Sequence, residues 1–408
     1  MGNVKRRYYM DIYLQDSVKG AKAPNMLNEE AAQEVAVFHK GIPEYRETPL
    51  VYLEDLSKEL KVKGIYIKDE STRFGLKAFK GLGGTYAMFR ILCRELGLDP
   101  KETEFLDFQK PEIKRKTAKI TFVTATDGNH GKGVSWAAGL FGCRAYVFMP
   151  EGSSKSRAQA IRDAGPAEVE IRDTNYDKTV EFARTMSEEN GWFLIQDTAW
   201  DGYEEVPWWI IQGYLTMAQE AVRQIERRNV RPTHVFLQAG VGAMAGTVAG
   251  YAANYYGEYC PVISLVEPEE AACFFLSAKQ GDGGIHSTQG NPRTIMAGLN
   301  CGTPCKNIWP ILRDGASGYF ACPDFVAAHG MRTYAFPSGK DEKIISGESG
   351  ASTLGLVSLL LKKEELLDVK EALGLDEDSE ILLFNTEGDT DPDCYRRVVE
   401  EGAYPVPE

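Results

Sequence analysis

Short apolar runs alternate with helical patterns along most of the chain. Predicted strands occupy residues 120–124, 145–149, 168–171, 234–237, 262–266 and 381–384, and predicted helices between and around them include 133–141, 208–228 and 351–362. Two strands joined by a helix run parallel, because the helix carries the chain back to the edge of the sheet where the first strand began. The order therefore predicts an α/β fold built on mostly parallel sheets.

Composition narrows the possible classes of function. The chain has 408 residues, which suggests two or three domains, and its 59 acidic and 46 basic residues give a formal net charge of −13. So acidic a chain is not drawn to nucleic acid or to an anionic membrane surface. The sequence has no apolar stretch of about 18 residues that could span a bilayer and no apolar run after its first residues, so we expect a cytoplasmic protein.

Two features suggest a metal site, but neither is complete. Cys301 and Cys305 could be two ligands, yet no CxxC pair or nearby histidine completes a tetrahedral set. Asp389, Asp391 and Asp393 alternate as in a calcium loop, but the glycine and glutamate that such a loop needs are missing and a proline intrudes. We therefore expect no metal, and we expect the eight widely spread cysteines to be reduced thiols.

One lysine has an unusual sequence setting. Lys80 follows Phe79 and directly precedes the glycine-rich segment 81–84. A lysine amine becomes a useful nucleophile when apolar surroundings or a nearby cation disfavour its ammonium form, and Phe79 could supply an apolar wall. Lys80 is therefore a candidate for a Schiff base with a cofactor, although the start of an amphipathic helix with a solvated lysine explains the same pattern.

Three turns follow predicted strands directly, where ligands bind in doubly wound sheets. The turn at 238–246 is rich in glycine and alanine and leads into a helix, so its backbone N–H groups and the positive end of that helix could hold a phosphate. Tight packing of helix against strand is the alternative. The turn lacks the lysine of a nucleotide P-loop and the acidic residue that a dinucleotide site requires.

The other two turns carry polar side chains suited to chemistry. In the turn at 124–131, Asp127 could act as a base and Asn129 could donate to an oxygen, although a plain turn and helix cap would use the same residues. We interpret the adjacent His130 as a structural histidine. After the last strand, the hydroxyl of Thr386 could meet a ring nitrogen. The segment 281–291 is predicted to be a surface loop or a lid.

Taken together, these motifs resemble the fold-type II pyridoxal-phosphate (PLP) enzymes over about residues 65–391. The most specific resemblance is to the diaminopropionate ammonia-lyases. It is carried by the turn at 124–131 and by Lys-Asp-Glu-Ser at 68–71, Arg-Phe-Gly-Leu at 73–76, Gln-Asp-Thr-Ala-Trp at 196–200, Thr-Ile-Met-Ala-Gly-Leu at 294–299 and Thr-Glu-Gly-Asp-Thr at 386–390. The resemblance implies two open, twisted, mostly parallel sheets flanked by helices. It also implies a large domain (1–85 and 205–408) and a smaller inserted domain (86–204).

The resemblance also implies a homodimer that binds PLP and converts 2,3-diaminopropionate and water into pyruvate and two ammonia molecules. It assigns the Schiff base to Lys80, the phenolic oxygen of the cofactor to Asn129 and the pyridine nitrogen to Thr386. The phosphate would be held by five consecutive residues, Gly240, Val241, Gly242, Ala243 and Met244.

Four residues are assigned to the amino-acid substrate by the same resemblance: Thr126, Asp127, Asp197 and Glu348. Related dehydratases and racemases usually have serine or alanine where Asp127 stands. The family accepts both isomers of diaminopropionate, which implies that Lys80 is the base for the L isomer and Asp127 the base for the D isomer. Asp197 could pair with the β-ammonium group, although a turn or helix-cap aspartate is an alternative.

Three other functions are weaker alternatives on the sequence. A serine or threonine dehydratase shares the fold, but two carboxylates suit a cationic leaving group better than a hydroxyl. A PLP-binding protein without catalysis is disfavoured by the intact Lys80. An NAD-dependent dehydrogenase would need the ribose-binding acid that is missing.

Overall fold

A computed structural model describes residues 3–18, 20–126, 128–290 and 292–408 of the chain. Asp127 therefore lies outside the described residues. The strands within those ranges are β1 (Asn3–Arg7), β2 (Met10–Leu14), β3 (Leu50–Tyr52), β4 (Gly64–Asp69), β5 (Thr121–Ala125), β6 (Arg144–Met149), β7 (Glu168–Ile171), β8 (Phe193–Leu194), β9 (His234–Gln238), β10 (Val262–Pro268), β11 (Ala316–Cys322) and β12 (Glu380–Asn385).

Helices connect most of these strands. They are α1 (Glu29–Lys40), α2 (Glu54–Leu60), α3 (Gly81–Leu96), α4 (Pro111–Thr117), α5 (Asn129–Phe141), α6 (Lys155–Ala164), α7 (Tyr176–Asn190), α8 (Glu205–Gly213), α9 (Leu215–Glu226), α10 (Ala243–Tyr256), α11 (Cys273–Gln280), α12 (Trp309–Gly315), α13 (Asp324–Ala335), α14 (Glu348–Lys362), α15 (Leu367–Leu373) and α16 (Pro392–Val399). In the part of the chain that the structure describes, none of them is long and apolar enough to cross a membrane.

The chain divides into two compact units. The first unit comprises Met1–Glu29, Glu47–Thr72 and Ala218–Glu408, and the second comprises Glu30–Arg46 and Arg73–Met217. The division into domains 1–85 with 205–408 and 86–204, expected from the sequence, stays a prediction.

The first unit is built on an eight-stranded sheet with the order β1-β2-β11-β10-β9-β12-β4-β3. Its five inner strands, from β11 to β4, run parallel, and β1, β2 and β3 pair antiparallel at the two edges. The inner strands read as continuous apolar runs because helices such as α14 cover them, so nearly every side chain of β9 and β12 is buried.

The second unit contains a four-stranded parallel sheet with the order β7-β6-β5-β8. Strand β5 is central and fully buried, and the turn that follows it leads into α5. The α/β class with mostly parallel sheets, predicted from the alternation of strands and helices, is confirmed.

The prediction of a single helix at 208–228 is wrong. The segment is divided into α8 and α9, with Tyr214 between them. Gly213, the last residue of α8, lies so close to α3 that an added Cβ would be 2.5 Å from the carbonyl oxygen of Leu82. The division therefore falls at a close contact between α8 and α3.

Candidate active site

Lys80 stands at the start of α3 in the second unit. Its side chain is 17% exposed, and its Nζ lies 5.7 Å from the centre of the Phe79 ring. Phe79 packs against Tyr214, with 4.8 Å between the ring centres. The apolar wall predicted from the sequence is therefore present beside the lysine, and it has two aromatic rings.

Close helix packing fixes the backbone of Lys80. α3 packs against α5, where a Cβ on Gly133 would lie 3.0 Å from the backbone nitrogen of Gly81 and 3.1 Å from the carbonyl carbon of Lys80. Only a glycine at 133 lets the two helices approach this closely. The contact between α3 and α5 therefore positions Lys80, the residue that directly precedes α3.

The Lys80 amine forms an ion pair with Asp197. Its Nζ is 2.5 Å from Asp197 Oδ2, and the aspartate side chain is 7% exposed. Burial alone would favour the neutral acid, but the Lys80 ammonium outweighs it and lowers the pKa of Asp197 to about 2. Asp197 is consequently a carboxylate while the ammonium of Lys80 lies beside it.

Neighbouring side chains hold the segment that carries Asp197. The Gln196 Oε1 accepts hydrogen bonds from Thr124 Oγ1 (3.2 Å) and from the backbone N–H of Ala125 (3.1 Å). The hydroxyl of Tyr203 accepts from the N–H of Gln196 and donates to the carbonyl of Leu194, both at 2.9 Å. These bonds fix residues 194–197 to the end of β5.

His130 also lies near this carboxylate. Its Nε2 is 2.8 Å from the carbonyl oxygen of Ile195, and its Nδ1 is 3.9 Å from Asp197 Oδ2. Burial lowers the pKa of His130, although Asp197 opposes that effect. Because a carbonyl can only accept, Nε2 carries the hydrogen and Nδ1 of the neutral ring does not.

The turn before α5 is folded around Thr126. Its Oγ1 accepts hydrogen bonds from the N–H groups of Gly128 (3.0 Å) and Gly131 (3.1 Å), and the residue is buried. Gly128 has a φ of +158°, which favours glycine, and it precedes Asn129, the first residue of α5. Thr126 therefore shapes the turn that presents Asn129 at the N-terminus of a helix.

The first unit contains the glycine loop at residues 240–244, which follows β9 and includes the first two residues of α10. Gly242 has a φ of +87° and directly precedes the first residue of α10. The carbonyl of Val241 accepts a hydrogen bond from the N–H of Cys305 at 2.8 Å. The loop is buried and lies at the positive end of a fourteen-residue helix, which is suited to a phosphate.

Thr386 follows β12 in the same unit and is 4% exposed. The Nε2 of Gln238 donates one hydrogen bond to the carbonyl of Phe384 and another to Thr386 Oγ1, both at 2.9 Å. The carbonyl partner fixes which end of the Gln238 amide is the nitrogen. Since Thr386 Oγ1 accepts from that nitrogen, the hydroxyl can donate its own hydrogen elsewhere.

Two more segments meet in the first unit. A Cβ on Gly240 would lie 3.1 Å from the carbonyl oxygen of Gly298, and a Cβ on Gly298 would lie 2.9 Å from Ser349 Oγ. Glu348, the first residue of α14, is buried beside this point. The glycine loop, the segment 294–299 and the turn at 346–351 are therefore neighbours.

Comparison with known proteins decides the family. A family model described as "pyridoxal-phosphate dependent enzyme" matches residues 42–372. The chain is 49% identical to diaminopropionate ammonia-lyase of Salmonella typhimurium over 382 residues, 93% of this chain and 94% of that one. The chain belongs to the diaminopropionate ammonia-lyase family. PLP is accordingly its cofactor.

A solved structure of the diaminopropionate ammonia-lyase of Escherichia coli, in complex with an aminoacrylate-PLP azomethine reaction intermediate, has a TM-score of 0.90 with 43% identity and covers 100% of both chains. The L-threonine dehydratase of Haemophilus influenzae is more distant. It is 28% identical over 58% of this chain and 38% of its own length.

The motifs that resemble diaminopropionate ammonia-lyases fall into two groups, one in each unit. The second unit brings together Lys80, Thr126, Asn129 and Asp197 with their supporting contacts. The first unit brings together the glycine loop, Glu348 and Thr386. Asp127 lies outside the described residues, so its predicted role stays a prediction.

Two residues near these groups had no role in the sequence-based interpretation, and a third, His130, was interpreted as a structural histidine. Gln238 orients the hydroxyl of Thr386, Tyr203 holds the segment of Asp197, and His130 faces that carboxylate. Gln238 could have been found as the last residue of a buried strand before a glycine loop, where an amide needs partners. The contacts of Tyr203 and His130 depend on tertiary structure and gave no local signal.

Proposed function

We propose that the protein catalyses the PLP-dependent α,β-elimination of 2,3-diaminopropionate, in which one substrate and one water give pyruvate and two ammonia molecules. Family membership and the nearly full-length match to the Salmonella enzyme support this activity. The observation that carries the proposal is the pair of Lys80 and Asp197. The Lys80 amine, which can hold the cofactor, lies 2.5 Å from a buried, ionised carboxylate.

The residues present fit PLP. Lys80 would hold its aldehyde carbon, Asn129 would contact its phenolic oxygen, residues 240–244 would bind its phosphate and Thr386 would meet its pyridine nitrogen. When bound, the cofactor withdraws electrons from the amino acid and makes the α-proton acidic. The Lys80 amine lies in a half-buried aromatic setting, and the glycine loop offers helix N–H groups to an anion.

Thr386 suits the pyridine nitrogen as a neutral donor. Gln238 Nε2 already occupies a lone pair of the Thr386 oxygen, so the hydroxyl hydrogen points to another acceptor. A hydroxyl cannot hold a full pyridinium charge as a carboxylate would. The weaker electron sink favours rapid loss of the β-substituent over return of a proton to the α-carbon.

Asp197 suits the β-amine of the substrate. An amine is a poor leaving group unless it departs protonated, and a carboxylate stabilises the ammonium form. Asp197 remains ionised because a cation lies beside it, and a substrate ammonium can take the same place. Thr126 and Glu348 are proposed as further contacts to the substrate.

We assign the α-proton of the L isomer to Lys80 and that of the D isomer to Asp127. The Asp127→Asn variant tests this division, because it removes a base with little change in size. Pyruvate formation from the D isomer is expected to fall by about a hundredfold or more, as when a general base is lost, while the rate with the L isomer is retained. Equal loss for both isomers, or no loss for either, would contradict the assignment.

The activity itself is tested by a visible spectrum of the purified protein and by ammonia and pyruvate assays with diaminopropionate, serine and threonine. Borohydride is expected to trap the cofactor on Lys80. Faster turnover of serine or threonine than of diaminopropionate would favour a dehydratase. A spectrum of bound PLP without ammonia release from any of the three would leave a cofactor-binding protein without catalysis.

We further propose that the protein is a cytoplasmic homodimer with a large domain (1–85 and 205–408) and a small inserted domain (86–204). The sequence resemblance supports the dimer and the domains, and the acidic composition is compatible with the location. Light scattering on a size-exclusion column tests the dimer, and limited proteolysis tests the domain boundaries.

A further inference from the structure

One buried carboxyl group of the first unit has no role in the proposed reaction. Glu267, near the end of β10, is inaccessible to solvent. Its Oε1 accepts a hydrogen bond from the backbone N–H of Phe274, and its Oε2 accepts one from that of Phe275, each at 2.7 Å. Burial raises the pKa of Glu267 to about 8 although the backbone hydrogen bonds oppose it. The fold therefore keeps this carboxyl group in place against a desolvation cost.

The two N–H groups belong to the first turn of α11. The first N–H groups of a helix have no partner within the helix, and they align with its positive end. A side chain that binds two of them with both oxygens fixes the position and the rotation of that turn. Glu267 therefore ties the start of α11 to the end of β10.

The same turn of α11 contacts the glycine loop. The Sγ of Cys273 donates to the carbonyl of Gly240 at 3.8 Å. The ring of Phe274 lies so close to Gly242 that an added Cβ there would be 2.3 Å from the ring Cζ. Two residues of the first turn of α11 therefore touch two glycines of the loop.

We propose that Glu267 is a positioning residue for the phosphate of the cofactor. By holding the backbone of Phe274, it holds the ring against Gly242 and the neighbouring thiol against Gly240, which sets the direction of the loop N–H groups. The inference rests on the proposed assignment of the loop to the phosphate. It extends that assignment to a side chain that does not touch the cofactor.

The Glu267→Gln variant tests this role, since glutamine has nearly the same size but presents an NH₂ group to one of the two backbone N–H groups. The readout is the affinity of the apoenzyme for PLP and for pyridoxal, which lacks the phosphate. PLP affinity is expected to fall by about tenfold, as for a lost buried hydrogen bond, whereas pyridoxal affinity changes by about twofold or less. An equal loss for both compounds, or no loss for either, would overturn the proposal.

A matched control exists in the same unit. Asp341 accepts the backbone N–H groups of Asp55 (3.0 Å) and Leu56 (2.8 Å) in the first turn of α2, with one carboxylate oxygen for each. The Asp341→Asn variant makes the same chemical change at a helix that carries no part of the loop. The ratio of PLP affinity to pyridoxal affinity is expected to stay at its wild-type value. A change as large as that in Glu267→Gln would count against a specific role.

Two further variants test the role of Glu267 separately from the assignment of the glycine loop to the phosphate. Gly242→Ala disturbs the loop directly; if it leaves the preference for PLP over pyridoxal intact, the loop does not bind the phosphate. If Gly242→Ala removes the preference and Glu267→Gln does not, the loop assignment stands and the positioning role fails.

Should Glu267→Gln not fold, Phe274→Leu keeps the backbone N–H groups but removes the ring from Gly242. It is expected to weaken the preference, and an unchanged preference overturns the inference.

Discussion

Replacing Asp197 by asparagine removes the charge that faces Lys80 and keeps the shape of the side chain. The pKa of Asp197 falls from its ordinary 3.8 to about 2 because the Lys80 ammonium outweighs burial. The Lys80 ammonium therefore more than offsets the desolvation of this carboxylate. A hydrogen bond between charged groups contributes about 2 kcal/mol. A β-ammonium group of the substrate that takes the place of the lysine ammonium gains a similar interaction.

The loss of about 2 kcal/mol predicts a fall in kcat/KM of about 30-fold for diaminopropionate, since about 1.4 kcal/mol is a factor of ten. Serine carries a neutral β-hydroxyl group, so its kcat/KM is expected to fall by about tenfold or less, the loss of one hydrogen bond. The assay measures pyruvate release with both substrates under the same conditions. Asp173→Asn, an exposed aspartate of the same unit, is the control and is expected to leave both values unchanged.

The reasoning is refuted if Asp197→Asn lowers kcat/KM equally for diaminopropionate and serine. Such a result would mean that the carboxylate acts through Lys80 or through the fold and not through the β-ammonium group. A larger loss for serine would reverse the assignment and favour a dehydratase.

Two further predictions concern groups that hold the site. Thr386→Val removes the donor proposed for the pyridine nitrogen and leaves a hydrogen of Gln238 Nε2 without its acceptor, so PLP affinity of the apoenzyme should fall by about tenfold; unchanged affinity would contradict the role. Gly133→Ala puts a methyl group 3.0 Å from the backbone of Gly81 and should destabilise the second unit by about 1–3 kcal/mol in thermal unfolding. Gly139→Ala in the same helix meets its first neighbour at 3.4 Å, so a loss as large as that of Gly133→Ala would refute the packing argument.

The groups recognised from the sequence are those with a local signature. Lys80, the glycine loop and the turn before α5 each need particular residues at consecutive positions, because a Schiff base, a phosphate and a helix start impose local geometry. Strand positions followed in the same way from continuous apolar runs. Such features can be predicted without knowing which segments meet.

Contacts between distant segments could not be predicted in this way. Lys80 and Asp197 are 117 positions apart, and Gln238 and Thr386 are 148 positions apart. Aspartate after a strand is a common turn residue, and its pairing with a lysine depends on how β5, α3 and β8 assemble. The division of the helix at Tyr214 has the same origin, since it depends on the contact between α8 and α3.

Two buried carboxyl groups in this protein behave in opposite ways, and the difference bears on the choice of substrate. Glu267 meets backbone N–H groups, and burial raises its pKa to about 8. Asp197 is also buried, yet a cation 2.5 Å away lowers its pKa to about 2. Partial charges from the backbone do not compensate for burial here, whereas a full positive charge does. An ionised Asp197 therefore requires a cation beside it. A β-ammonium group of the substrate can supply that charge and a β-hydroxyl group cannot, which favours diaminopropionate over serine.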